Sequence, residues 1–129
     1  MNLNMRSLVE NAIYQACQST MGSRHGAVLF RGHKMVSAGF NRGSHAEIEA
    51  LRKSGIDRMD RRQKRKYNIL VVRMARDGKL TNSRPCNDCI NILRASGIYK
   101  VFYSNNLGEI ACEKIDAMEL LHISIGRRL

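Results

Sequence analysis

The sequence predicts an α/β fold, a three-layer α/β/α sandwich around a five-stranded mixed sheet. Three observations predict it. Apolar residues recur at helical spacing near the start, short β-branched or apolar runs bounded by turn residues follow, and helical patterns separate those runs in the order α-β-β-α-β-α-β-β-α. The chain has no internal repeat. Its 129 residues, 43% of them apolar, make one domain, residues 1–129, with a core of its own.

The first helix is expected over about residues 4–20, where Met5, Leu8, Val9, Ala12, Ile13, Ala16 and Cys17 form one apolar stripe, with Gly22 as its stop. His25–Phe30 and Met35–Phe40 read as strands. The short turn Arg31–Lys34 between them requires an antiparallel pair. Ser44-His45-Ala46-Glu47 opens the second helix, which runs to about Gly55, and Ser44 with Glu47 has the form of a capping box. Tyr67–Met74 is an apolar, β-branched run suited to a buried central strand. Ala75–Arg84 reads as a loop, and a helix from about Cys86 to Ser96 follows Pro85 and closes at Gly97. Ile98–Ser104 and Glu109–Cys112 are the last strands, and their short link predicts an antiparallel hairpin. A final helix is expected over about Glu113–His122, burying Ile115, Met118 and Leu121, before a tail read as folding back over the site.

The net charge of +11 points to anionic partners: nucleotides, nucleic acid or anionic surfaces. Six of the nine residues from Arg58 to Lys66 are basic: Arg58, Arg61, Arg62, Lys64, Arg65 and Lys66. Such a run is either a solvated face or an anion-binding edge beside the site, and Tyr67 is the one aromatic at its end. No apolar run reaches membrane-spanning length and no signal peptide opens the chain, so a soluble cytoplasmic protein is expected. Cys17 and Cys112 read as buried free thiols, and no disulfide framework is indicated.

The chemistry lies in His45-Ala46-Glu47 and Pro85-Cys86-Asn87-Asp88-Cys89. The Cys86 and Cys89 sulfurs stand about one helical turn apart and converge on one ion, and His45 adds a third ligand. Three protein ligands leave a tetrahedral zinc an open position, which is the arrangement of a catalytic site. A closed structural site needs a fourth ligand, for which His25, His33, His122, Cys17 and Cys112 are the spare candidates. Helix starts favour thiolates through free N–H groups and the dipole. Glu47, two residues past the His, is placed to move protons, or else simply to cap the helix.

Together these motifs resemble the zinc-dependent nucleobase deaminases of the cytidine and deoxycytidylate deaminase superfamily, over about His25 to Ser104. The resemblance implies a cytidine-deaminase-like fold, a Zn2+ cofactor on His45, Cys86 and Cys89, and Glu47 as the proton shuttle for replacing an exocyclic amine by water. It further implies that Asn41 holds the substrate sugar, that the Ala46 N–H meets the base carbonyl, and that the Arg84 carbonyl accepts from the exocyclic amine. His25 stands where a pocket-wall residue would, and the Arg84 guanidinium is a candidate phosphate contact. The expected substrate is a cytosine-type nucleoside or nucleotide. The alternatives are a base in single-stranded DNA or RNA held by the basic run, guanine or adenine, and a non-catalytic zinc-containing nucleic-acid-binding module. The terminal hairpin resembles the free-nucleoside branch and the His ligand the nucleotide and polynucleotide branch. A dimer or tetramer is expected from the resemblance alone.

Overall fold

The computed structural model describes residues 3–64 and 66–120. The chain runs through α1 (Leu3–Gln18), β1 (Arg24–Arg31), β2 (Lys34–Phe40), α2 (Ala46–Ser54), α3 (Arg61–Lys64), β3 (Tyr67–Met74), β4 (Leu80–Thr81), α4 (Asn87–Ala95), β5 (Lys100–Ser104) and β6 (Ile110–Lys114). The sheet order is β2-β1-β3-β5-β6. β3 and β5 are parallel, and β1–β2, β1–β3 and β5–β6 are antiparallel. The mixed sheet and its terminal hairpin are as the sequence predicts. The segment read as a loop after β3 adds one two-residue strand, β4, paired with Arg73 and Met74.

β3 is central because both its faces are apolar. Ile69 and Val71 enter the core under α2 and α4, while Leu70 and Val72 enter the core under α1. All four are fully buried. Helices thus cover both faces of the sheet, as a strand without polar alternation requires.

Two glycines set how closely the layers approach. A Cβ on Gly26 of β1 would collide with the Ala12 carbonyl oxygen of α1, and one on Gly39 of β2 would lie 2.6 Å from the Glu49 Cβ of α2. We expect Gly26→Ala to destabilise the fold by about 3 kcal/mol, the upper range for overpacking. A urea melt with an unchanged midpoint would contradict that packing.

Three expectations are corrected. The final helix over Glu113–His122 does not form in the described part: Glu113 and Lys114 extend β6, and Ile115–Ala117 is a single 3-10 turn. The reason is a partner distant in sequence. Arg94 donates from Nη2 to the carbonyls of Ile115 (3.2 Å) and Met118 (2.8 Å), so these acceptors are taken from outside. Ile115 and Met118 are nevertheless buried as expected, and residues 121–129, with Leu121, His122 and the tail, lie outside the described residues. Cys17 and Cys112 are exposed rather than buried. Cys17 falls just off the α1 stripe of Leu8, Val9, Ala12 and Ala16, and Cys112 lies on edge strand β6. Among the described residues, no helix is long and apolar enough to cross a membrane.

Candidate active site and metal centre

The site lies at the carboxyl ends of β2 and β3, where α2 and α4 begin, which is the usual location in sheets with parallel strands. His45 and Cys86 occupy the N-cap positions of α2 and α4 in extended conformation, and neither side chain caps its helix. Both are therefore free to turn toward the same point. Cys89, one turn into α4, is 2% exposed beneath them.

The ligand atoms of His45, Cys86 and Cys89 all lie within 4.8 Å of one another. His45 Nδ1 is 3.0 Å from Cys89 Sγ and 3.8 Å from Cys86 Sγ. A tetrahedral zinc with ordinary bond lengths separates such atoms by about 3.6 Å. One imidazole and two thiols at these distances fit zinc and leave its fourth position for a small ligand. Burial raises the pKa of the Cys89 thiol, and the Glu47 carboxylate beside it raises it further. The start of the helix does not outweigh burial here, and a bound cation would supply the charge that favours the Cys89 thiolate.

A cavity of about 200 Å³ opens beside these ligands, lined by His25, Asn41, His45, Ala46, Glu47, Ser83, Arg84, Pro85 and Cys86. The substrate-side residues named from the sequence are thus brought together. Glu47 is 4% exposed, and burial raises its carboxyl pKa despite the opposing pull of the local backbone and His45. A carboxyl whose pKa burial raises holds a proton more readily than an exposed one. The capping box is not formed. Ser44 Oγ donates instead to Glu49 Oε1 at 2.6 Å, and Arg52 pairs with that oxygen at 3.0 Å. Glu47 is thereby left to the cavity.

The Ser44 hydroxyl, with Arg52, holds Glu49 below the usual carboxylate range. A depressed folded pKa stabilises above the unfolded value and is lost as pH falls through the folded one. We expect Ser44→Ala to cost about 0.5–1 kcal/mol near neutral pH and nothing in strong acid, read from urea melts at both pH values.

Asn41 lines the cavity, but its amide is already engaged: Oδ1 accepts from the His25 N–H at 2.8 Å and Nδ2 donates to the Ser23 carbonyl at 2.5 Å. It ties the end of β2 to the start of β1. The Ala46 N–H belongs to the first turn of α2, where amides have no partner within the helix. Burial lowers the pKa of His25, as does Arg73, its cross-strand partner, which keeps the imidazole neutral at neutral pH. The Arg84 guanidinium is turned into the protein: Nε donates to Glu113 at 3.3 Å and Nη2 to the Glu119 carbonyl at 2.8 Å.

Sequence reasoning missed Ser83. Its hydroxyl donates to the Val71 carbonyl at 2.8 Å and meets Ser104 Oγ at 2.8 Å. Its backbone N–H donates to the Ser104 carbonyl at 2.8 Å. Those bonds fasten the segment that carries Arg84, Pro85 and Cys86 to β3 and to the end of β5. No pattern in Asn82-Ser83-Arg84 announces this, because the partners are distant in sequence.

Residues 5–105 match the cytidine and deoxycytidylate deaminase zinc-binding region, and the chain belongs to that family. Zinc is accordingly the metal of this His-Cys-Cys group. No curated protein matches the chain in sequence. Among solved structures it is similar to RibD of Acinetobacter baumannii, at TM-score 0.56 and 19% identity over 79% of this chain and 28% of that one. It is also similar to a structure from studies of A-to-I editing by tRNA:A34 deaminases at the wobble position of transfer RNA, at TM-score 0.60 and 20% identity over 79% of this chain and 77% of that one. A third is dCMP deaminase of the cyanophage S-TIM5 in apo form, at TM-score 0.57 and 18% identity over 82% and 86%. At such identities the likeness shows the fold. The chain spans less than a third of the RibD chain it matches.

Proposed function

We propose that this chain is a single-domain zinc-dependent hydrolase that deaminates a cytosine-type base of a nucleoside or nucleotide, releasing ammonia and the uracil product. The observation that carries the reading is a buried Glu47 carboxyl facing a base-sized cavity whose rim holds His45 and Cys86. Zinc bound to His45, Cys86 and Cys89 supplies the Lewis acidity that makes water nucleophilic near neutral pH. Glu47 takes a proton from the attacking water and passes it to the ring nitrogen next to the reacting carbon. A C–O bond forms at that carbon, Glu47 takes the remaining proton from the added hydroxyl and delivers it to the amine, and the C–N bond breaks with loss of ammonia as the carbonyl forms. The Ala46 N–H meets the base carbonyl, and the Arg84 carbonyl accepts from the exocyclic amine. Asn41 and His25 form the sugar-side wall.

The cavity, at about 200 Å³, is of a size to take a base. The Arg84 guanidinium is bonded to Glu113 through Nε and to Glu119 through Nη2, while its Nη1 is buried without a partner among the described residues. We place the protein in the cytoplasm and expect it to assemble as a dimer or tetramer, which light scattering tests. The function is tested by incubating zinc-loaded protein with cytidine, deoxycytidine, their monophosphates, guanine, adenosine and single-stranded oligonucleotides. Turnover of a cytosine-bearing member supports the reading; turnover only of guanine or adenosine would replace the substrate assigned here.

A further inference from the structure

Among the described residues, none of the basic run lines the zinc-site cavity. α3 and the start of β3 put it at the other end of α4, where a second cavity of about 450 Å³ is lined by Lys64, Arg94, Tyr99 and Asp116 together with Gly97 and Ile98. Gly97, at φ +80°, makes room for Lys64: a Cβ there would lie 3.0 Å from the Lys64 Cβ. Tyr67, the aromatic expected at the end of the run, is buried, whereas Tyr99 is 42% exposed. The ammonium groups of Lys100 and Lys114, which border the cavity without lining it, lie over the Tyr99 ring at 5.4 and 5.9 Å from its centroid. These two lysines are directly opposed across β5 and β6, an arrangement of like charges that costs stability. Arg94 holds the 3-10 turn through Nη2 and keeps its Nε buried without a partner. Among the described residues the two ion pairs, Arg52–Glu49 and Arg84–Glu113, involve none of these cations. Asp116 is the one carboxylate lining this cavity.

We infer that this cavity holds a nucleotide of a single-stranded nucleic acid, with a base stacked on Tyr99 and its flanking phosphates on Lys64, Lys100 and Lys114. Aromatic rings take the face of any base, and lysines track the backbone without reading sequence. The nine residues of α4 separate the two cavities by about 13 Å along the helix axis. A free mononucleotide in one cavity does not reach the other. This inference goes beyond the deaminase reading and does not depend on it: the strand held here need not be the substrate.

The test is fluorescence anisotropy with the zinc-loaded full chain and a short labelled oligothymidylate, which carries no exocyclic amine to lose. Lys100→Glu with Lys114→Glu is expected to weaken binding about tenfold or more at moderate salt and to flatten its salt dependence. Tyr99→Ala is expected to weaken it about fivefold or more, with Tyr99→Phe retaining the affinity because the ring remains. The control is Arg6→Glu with Lys79→Glu, an equal change of charge at exposed sites elsewhere. Equal losses in the control and the Lys100/Lys114 variant would mean diffuse attraction by net charge and overturn the inference, as would absence of oligonucleotide binding by the wild type. Thermal melts of each variant show that a loss is not unfolding. Binding is read without turnover, so failure of the deaminase reading and failure of this one are separate results.

Discussion

Glu47→Gln lowers deamination by about a hundred- to ten-thousand-fold while the protein keeps its zinc and its fold. The range is the general contribution of a positioned acid–base group. The amide has the size and hydrogen-bonding reach of the carboxyl but neither takes nor gives a proton. Because Glu47 is 4% exposed and its carboxyl pKa is raised by burial, the substitution also removes a costly ionisable group from the interior. The variant is therefore expected to melt at or slightly above the wild-type temperature. Metal content by atomic emission, a thermal melt and an ammonia assay on one preparation separate these effects. A non-catalytic zinc module predicts no activity to lose. Glu47→Gln turning over at the wild-type rate would remove Glu47 from the mechanism.

Loss of the metal is the second large effect. Cys89 lies at the bottom of the ligand cluster and has no equivalent in reach among the described residues, the group being His45, Cys86 and Cys89. Cys89→Ser is expected to weaken zinc binding by more than about a hundredfold, the upper effect of losing even a supporting residue. Chelation of the wild type should act on stability as well. Zinc at about a thousand times its Kd stabilises by about 4 kcal/mol, which for a domain of this size is about 15 °C in Tm. Calorimetry with and without chelator measures this. A melting temperature indifferent to chelation would mean that the cluster is not a zinc site.

Much of the site was legible because its chemistry depends on short spacings. His45-x-Glu47 and Cys86-x-x-Cys89 each sit at a helix start, and strand-like sequence before each puts both starts at the same end of the sheet. β3 was legible from its unbroken apolar run, and the β5–β6 hairpin from the shortness of its turn. What could not be read depended on partners distant in sequence. The final helix gives way to β6 and a 3-10 turn because Arg94, 21 residues from Ile115, takes the carbonyls. Ser44 chooses Glu49 over the capping box because Arg52 adds a charge to that oxygen. The basic run looked adjacent to His45 along the chain, but α2 carries the chain away from the site before the run begins. The Arg84 guanidinium looked free until Glu113 was found opposite it, held in turn by Tyr103 at 2.6 Å.

The central claim is that water replaces an exocyclic amine at the Glu47 cavity. The most direct test is to incubate zinc-loaded protein with cytidine, its monophosphate and a cytosine-containing oligonucleotide in heavy-oxygen water, with Glu47→Gln as the blank, and to follow the bases by mass spectrometry. The predicted result is heavy oxygen at the carbon that bore the amine, one ammonia per product, and an unchanged base in the blank. Intact bases across all three substrates, with zinc bound one to one, would contradict it.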